Sequence, residues 1–579
     1  MDPVENVKKN MDEMGKKPEE FRVLSVPQIS AYPLKLENYF ARTGKNPFEY
    51  DPSGNPITWV SEDVSVTDDA GKPIYIQPQV RKPAFWSSLA LKVVASKYFW
   101  GNMQKGEREN SVEQIIKRVS SFYERQAVIQ KYFSAEQAKI LKDEIAAICL
   151  NQLCVFNSPV WFNAGIQSYS PIAGGVSPYK WDLAKETVAH SEKNEDRPQC
   201  SACFILGVKD DMEAIMELQK AEAMIFKGGS GAGSNRSALR SSKERLTGGG
   251  YSSGPLSFMR GYDSYAASIK SGGKTRRAAK MEILNIGHPD VVDFIEAKQK
   301  EEKKAWALIN AGYSGGMNGE AYQSVFFQNS NMSVRVNDEF MQAVKSDGEW
   351  KTRFVKNGEV AETLKAKEIM KKIAEGTWIC GDPGIQCDTV INKYHTCKNS
   401  GNINASNPCS EYLFLDDTAC NLASINLMKF RTDDGKFDVE KFRAVIKIFI
   451  IAMELSVDGA SYPTPEITRR SHLYRTLCLG YANLGALLMS LGLPYDSDSG
   501  RAVAAAITAI MCGEAYKVSA QIAGLVGPFP EYEKNKEPML EVLRMHREHV
   551  KDINVNAMPN ELRYLTNEAW DSWSAALEL

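Results

Sequence analysis

From about residue 157 onward, short apolar runs alternate with helix-like segments, and nothing else in the chain narrows its fold so far. CFILGV at 203–208, MEILNI at 281–286 and SVRV at 333–336 read as strands. MEAIMELQKAEAMIF, PDVVDFIEAKQK and DEFMQAVKS follow them with helical spacing. Strands separated by helices pair in parallel, so an α/β architecture is expected here. Residues 86–155 have a different texture. SAEQ at 134–137 is a capping-box signature, and Leu141, Ile145, Ile148 and Leu153 after it keep roughly helical spacing. Residues 1–85 are rich in turns, with DPSGNP at 51–56 and prolines at 73, 78 and 83. Past Cys420, three stretches read as long helices: VEKFRAVIKIFIIAMELSV, LCLGYANLGALLMSLG and GRAVAAAITAIMCGEAYKVSAQIA. The expected layout is an extension over 1–85 without an assignable motif, a helical domain over 86–155, and the α/β part over 156–579.

Composition removes several function classes. A formal net charge of -2 gives no global basic field for nucleic acid or a membrane surface. The N-terminal MDPVENVKKNMDEMGKK is charged and has no apolar centre, so it does not read as a secretory signal. The most apolar run, VIKIFIIAMELSV, contains Lys447 and Glu454 and is too short to span a bilayer. Eleven cysteines in such a chain point to reduced thiols in the cytoplasm.

Two loops could meet an anion. KGGSGAGSN at 227–235 is dense in glycine but lacks the GK[ST] ending of a P-loop. It reads either as a tight turn or as a phosphate cradle, the second favoured by Arg236, Arg240 and Ser241 beside it. SIKSGGKTRRAAKM at 268–281 gathers Lys270, Lys274, Arg276, Arg277 and Lys280, which suits a triphosphate or a solvated basic loop.

The cysteines carry more. Cys200 and Cys203 form a CxxC pair. Zinc would need a second pair, and Cys380, Cys387 and Cys397 are irregularly spaced. A thioredoxin-like pair would open a helix, whereas here a strand follows. The remaining reading is that Cys203 works with a distant cysteine in redox chemistry. Cys409 sits in NPCSE, where Pro408 stiffens a loop and Asn407 and Glu411 lie two residues to either side. A carboxylate raises a thiol pKa, so this is a poor setting for a thiolate. It suits hydrogen-atom chemistry on a hydroxylated substrate, with the carboxylate taking a proton and the amide holding a second hydroxyl.

At these residues the sequence resembles the catalytic chain of ribonucleotide reductase. NPCSE resembles that family's finger loop, and CNLASINL the strand after it. FNSPVWFNAG at 156–165, SACFILGV at 201–208, GGSGAGSNRSALRSS, GGKTRRAAKMEILNIGHPDVVDFI and GDPGIQCDTVIN at 381–392 resemble further family segments in the family's order. HTCKNSGNINASNPCSEYLFLDDTACNLASINL is most similar to the adenosylcobalamin-dependent class II enzymes, and less similar to a class I large subunit. The resemblance implies a ten-stranded α/β barrel, two parallel five-stranded halves set antiparallel around a central loop, with the helical region N-terminal to it. It implies a thiyl radical on Cys409, proton transfer at Glu411, substrate binding by Asn407, and reducing electrons from Cys203 and Cys420, which end as a disulfide. It also places substrate at Ser158, Ala202, Cys203 and Gly231, and a deoxynucleotide effector at Asp210, Arg236, Arg240 and Lys274, near a homodimer interface.

The sequence departs from the family in two places. The Pro-Thr-Gly-Thr-Ile stretch that binds substrate phosphates is absent, and so is the C-terminal cysteine pair. The last segment, WDSWSAALEL, resembles the helix before the phosphate stretch, so the barrel is expected to be incomplete in this chain and to need a second polypeptide. A non-catalytic nucleotide-binding module is the alternative, but such a module would need none of these thiols.

Overall fold

The structure is a computed structural model that describes residues 34–42, 44–67, 71–168, 176–192, 195–269, 278–316 and 319–579. Lys274, with the other cations at 270–277, lies outside the described residues.

The first described elements are an antiparallel hairpin, β1 (Trp59–Thr67) and β2 (Pro73–Pro83), followed by α1 (Ser88–Lys97). Next come α2 (Val112–Ile129) and α3 (Ala135–Leu150), packed on each other. The Ser134 side chain accepts from the Gln137 N–H, the cap that SAEQ announces. Leu141, Ile145 and Ile148 form the buried stripe of α3. Also on α3, Glu144 is buried and accepts from the backbone N–H groups of Tyr39, Phe40 and Ala41, which pins the incoming segment to the helix.

A short strand, β3 (Cys154–Phe156), leads to the main sheet. Its first half is β4 (Cys203–Leu206), α4 (Met212–Lys227), β5 (Gly231–Asn235), α5 (Gly254–Ser268), β6 (Lys280–Asn285), α6 (Val291–Asn310), β7 (Ser330–Val336), α7 (Asp338–Lys345), α8 (Ala366–Cys380) and β8 (Gly384–Cys387). These five strands are all parallel, in the order β4-β5-β6-β7-β8. Then β9 (Thr418–Asn426) pairs antiparallel with β4 and begins the second half. After α9 (Val439–Gly459) and α10 (Pro465–Tyr474), β10 (Leu477–Ala482) joins β9 in parallel. With β3 against β9, the sheet has eight strands. The reversal between β4 and β9 is the antiparallel meeting of two parallel halves that the resemblance implies.

Two sequence expectations change here, and a third, the helical apolar run past Cys420, stands. LCLGYA is strand β10 rather than helix, because parallel pairing with β9 satisfies its backbone where propensity alone favours a helix. Within 227–235 the expected turn is confined to Gly228 and Gly229, and residues 231–235 are a buried strand inside the sheet. The apolar run in α9 is a core helix whose one polar end, Glu454 and Asp458, is paired with Arg475. Closing the chain are α11 (Asp498–Val526), α12 (Tyr532–His549) and α13 (Tyr564–Glu578). Among the described residues α11 is the one helix long and apolar enough to cross a membrane, and half of that stretch is buried inside the protein, where α11 packs on α9 and α13.

The sheet is covered differently on its two faces. On the outer face, Leu284 and Val334 pack with Phe294 of α6, Phe340 of α7 and Ile369 of α8. On the inner face, Ile205, Met281 and Ile283 pack not on a helix but on a loop, through Ala405, Tyr412, Phe414 and Leu415.

Candidate active site

That loop is a narrow hairpin. Ala405 pairs with Phe414 and Ser406 with Leu413, leaving Asn407 to Tyr412 as its tip. Asn407 closes the tip: its N–H donates to the Tyr412 carbonyl, and its Oδ1 accepts from the Tyr412 N–H at 3.0 Å. Ser410 adopts a φ of 65°, the left-handed backbone that turns the chain back.

The sheet makes room for this hairpin. A Cβ on Gly233 would stand 1.8 Å from the Ser406 carbonyl oxygen, and one on Gly231 2.8 Å from Cγ of Pro408. No side chain other than hydrogen fits there, so the glycines of β5 serve close approach by the loop. Two amides then fix the tip. Asn331 of β7 donates to the Pro408 carbonyl at 2.8 Å, and Gln386 of β8 donates to Ser406 Oγ at 2.8 Å. Tyr412 is fully buried and donates to Thr418 Oγ1 at 2.7 Å, which ties the loop to the start of β9. Sequence reasoning did not single out Asn331, Gln386 or Tyr412. Their role is visible only once distant strands are side by side.

The tip borders a cavity of about 260 Å³ lined by Ser158, Ala202, Cys203, Gly231, Asn407, Cys409 and Glu411, among others. Every residue expected to touch substrate is therefore at one cavity. Asn407 is buried while Cys409 and Glu411 are exposed. The Asn407 amide donates to Cys203 Sγ at 3.0 Å, and the Cys203 thiol donates to Glu411 Oε1 at 3.4 Å. Burial, reinforced by the Glu411 charge, pushes the Cys203 thiol well above its usual range, so Cys203 rests protonated. Ser158 starts a helix capped by Asn157 and exchanges a hydrogen bond with Tyr98 at 3.0 Å.

Cys420 is a fully buried direct cross-strand partner of Cys203. Its bonded partner in the structure, however, is Cys478 on β10, not Cys203. The sequence held no sign of this, because Cys478 lies in the segment read as helix. Cys200 is buried, and among the described residues no group of His, Cys, Asp or Glu could hold a metal ion.

The effector residues separate. Arg240 pairs with Asp210 at 2.6 Å on a part-exposed edge. Arg236 has no exposure, and Glu222 and Glu282 enclose its guanidinium. It belongs to a buried charge cluster with Lys280 and does not face a surface nucleotide.

Residues 201–578 match the family profile described as "Ribonucleotide reductase, barrel domain". Residues 61–152 match "Class II vitamin B12-dependent ribonucleotide reductase". A protein named vitamin B12-dependent ribonucleotide reductase from Rhodopirellula baltica is 49% identical over 543 residues, covering 93% of this chain and 52% of that protein. The Streptomyces coelicolor protein of the same name is 45% identical, covering 93% of this chain and 53% of its own length. A vitamin B12-dependent ribonucleoside-diphosphate reductase from Thermoplasma acidophilum is 32% identical over 58% of this chain and 41% of its own. The chain thus spans about half the length of the first two of these relatives. The separate second polypeptide expected from the sequence finds no support in them.

Proposed function

The chain belongs to the class II vitamin B12-dependent ribonucleotide reductases, and on that footing we propose that the cavity at the hairpin tip is where a ribonucleotide is reduced to its 2′-deoxy form by radical chemistry. The observation that carries this reading is convergence: Cys203, Asn407, Cys409 and Glu411 line one cavity, with Cys420 directly across from Cys203.

Cys409 is the thiyl residue that takes the ribose 3′ hydrogen. Its exposure, beside buried Asn407 and Pro408, fits a thiol that must be reached from outside the loop. Adenosylcobalamin, when bound, supplies the initiating radical. Glu411 receives the 3′-hydroxyl proton, and Asn407 orients the substrate against it. Cys203 and Cys420 supply two electrons and two protons, which match loss of the 2′-hydroxyl as water and leave a disulfide. A protonated Cys203 is the form this step needs. We assign the deoxynucleotide effector to the Asp210–Arg240 edge, near a homodimer interface, and the working location to the reducing cytoplasm.

The test is deoxynucleotide formation with adenosylcobalamin and a dithiol. Cys409→Ala should lower the rate by at least about 1000-fold, and Glu411→Gln by about 100- to 10,000-fold. A Cys409→Ala enzyme within about tenfold of wild type would sink the reading.

A further inference from the structure

Three cysteines lie in a row across three adjacent strands. Cys203 and Cys420 are direct partners across the β4–β9 pair. Along β9, Leu422 is two residues on from Cys420 and so points to the same face. Leu422 is also the register partner of Cys478 on β10. Cys478 therefore shares the face of Cys420 and stands diagonal to it, with Cα atoms 6.3 Å apart. That separation and a direct cross-strand pairing are both within disulfide reach, so Cys420 can bond to either neighbour. The β9–β10 register is set nearby, where Thr476 Oγ1 donates to the Ala419 carbonyl at 2.7 Å.

The two pairings differ in what they leave at the cavity. Cys203 lines it, whereas Cys420 and Cys478 do not. In the structure Cys420 is bonded to Cys478, and Cys203 is a thiol held between Asn407 and Glu411. In this arrangement the oxidised bond lies off the cavity wall and the cavity residue Cys203 is a thiol.

Resting on the reductase reading above, we propose that Cys478 is a relay thiol that takes Cys420 over from Cys203 after each turnover. Cys478 sulfur attacks Cys420 Sγ, the Cys203–Cys420 bond breaks and a Cys420–Cys478 bond forms. The proton lost by Cys478 is matched by one gained at Cys203, and no electrons enter or leave. An external dithiol then reduces Cys420–Cys478, giving two electrons and two protons and becoming a disulfide itself. Product can leave and the next substrate can enter while that reduction proceeds.

The first experiment maps disulfides by alkylation and mass spectrometry in the oxidised enzyme. Wild type should show Cys420 joined to Cys478 with Cys203 alkylated, Cys478→Ser should show Cys203 joined to Cys420, and dithiothreitol should reduce the variant's bond at least about tenfold more slowly. The second measures steady-state deoxynucleotide formation with dithiothreitol, which should fall at least about tenfold in Cys478→Ser while pre-reduced enzyme still gives a first-turnover burst. A Cys203–Cys420 bond as the sole species in oxidised wild type would overturn the relay. So would a Cys420–Cys478 bond that persists in turning-over enzyme, or a steady-state rate in Cys478→Ser equal to wild type. Absence of any burst in wild type with the expected disulfide map would count against the reductase reading and leave the exchange standing.

Discussion

Two segments in this molecule have no regular structure to hold them, and they are anchored by different chemistry. Residues 39–41 are fastened by one carboxylate, Glu144, which collects three backbone N–H groups. The tip of the 405–414 hairpin is fastened by neutral groups: the Asn331 and Gln386 amides, the Asn407 side chain and the bare backbone of Gly231 and Gly233. Burial outweighs the three donors at Glu144 and pushes its carboxyl up to about 7. The first anchor therefore titrates near neutrality, whereas the tip's anchors carry no proton to lose. Tyr412, whose phenol also ties the tip, keeps its proton because burial pushes it up, so it does not titrate near neutrality either.

Four measurements bear on that contrast. Gly233→Ala should have the largest effect, because a methyl 1.8 Å from the Ser406 carbonyl oxygen forces the hairpin out of its seat. Deoxynucleotide formation should fall at least about 100-fold, with a loss of about 1–3 kcal/mol in stability by urea unfolding. An active Gly233→Ala enzyme would mean that the hairpin does not need the space β5 leaves. Asn331→Ala should come next, removing one tip anchor and leaving the Pro408 carbonyl unpaired, at about 1–3 kcal/mol. Its activity loss should be the same at pH 6 and pH 8; a pH-dependent loss would contradict the neutral-anchor account.

Glu144→Gln tests the titrating anchor. A carboxyl near 7 in the folded chain and about 4.3 in the unfolded one holds its proton longer when folded. Its stabilising share is full below the unfolded value and is lost as pH rises toward 7. The stability of wild type relative to Glu144→Gln should therefore decline between about pH 4.5 and 7, by on the order of 1–3 kcal/mol. A relative gain over that window would reverse the assignment. The smallest effect is expected from Ser134→Ala, which removes the α3 cap at a cost of about 1 kcal/mol with no change in activity.

How far the sequence could be read follows from how local each feature is. The α3 cap and stripe, and the strands at 203, 281 and 333, rest on neighbours within one element, and they stand where expected. Asn407, Cys409 and Glu411 were legible because five consecutive residues carry them. The glycines of β5 looked like a turn because what they accommodate, Ser406 and Pro408, is far away in the chain. Cys478 was missed for a related reason. Leucine and alanine around it favour a helix in isolation, and only pairing with β9 makes that segment a strand. Arg236 was placed near the effector by the family resemblance alone, but its partners Glu222 and Glu282 come from α4 and β6 and hold it in the interior.

The bare face of β5 also bears on how the protein is made. Asn235 at the end of β5 bonds the Asn404 carbonyl at the hairpin's entrance, 169 residues further along. At typical rates of synthesis that stretch takes roughly 10–30 s to emerge. During that interval β5 on a ribosome has neighbours but an uncovered inner side, since its glycines offer nothing to fill the groove. The centre of the sheet thus closes only when a late segment threads into it. A nascent chain stalled before residue 404 should therefore present an open groove that chaperones or proteases can enter.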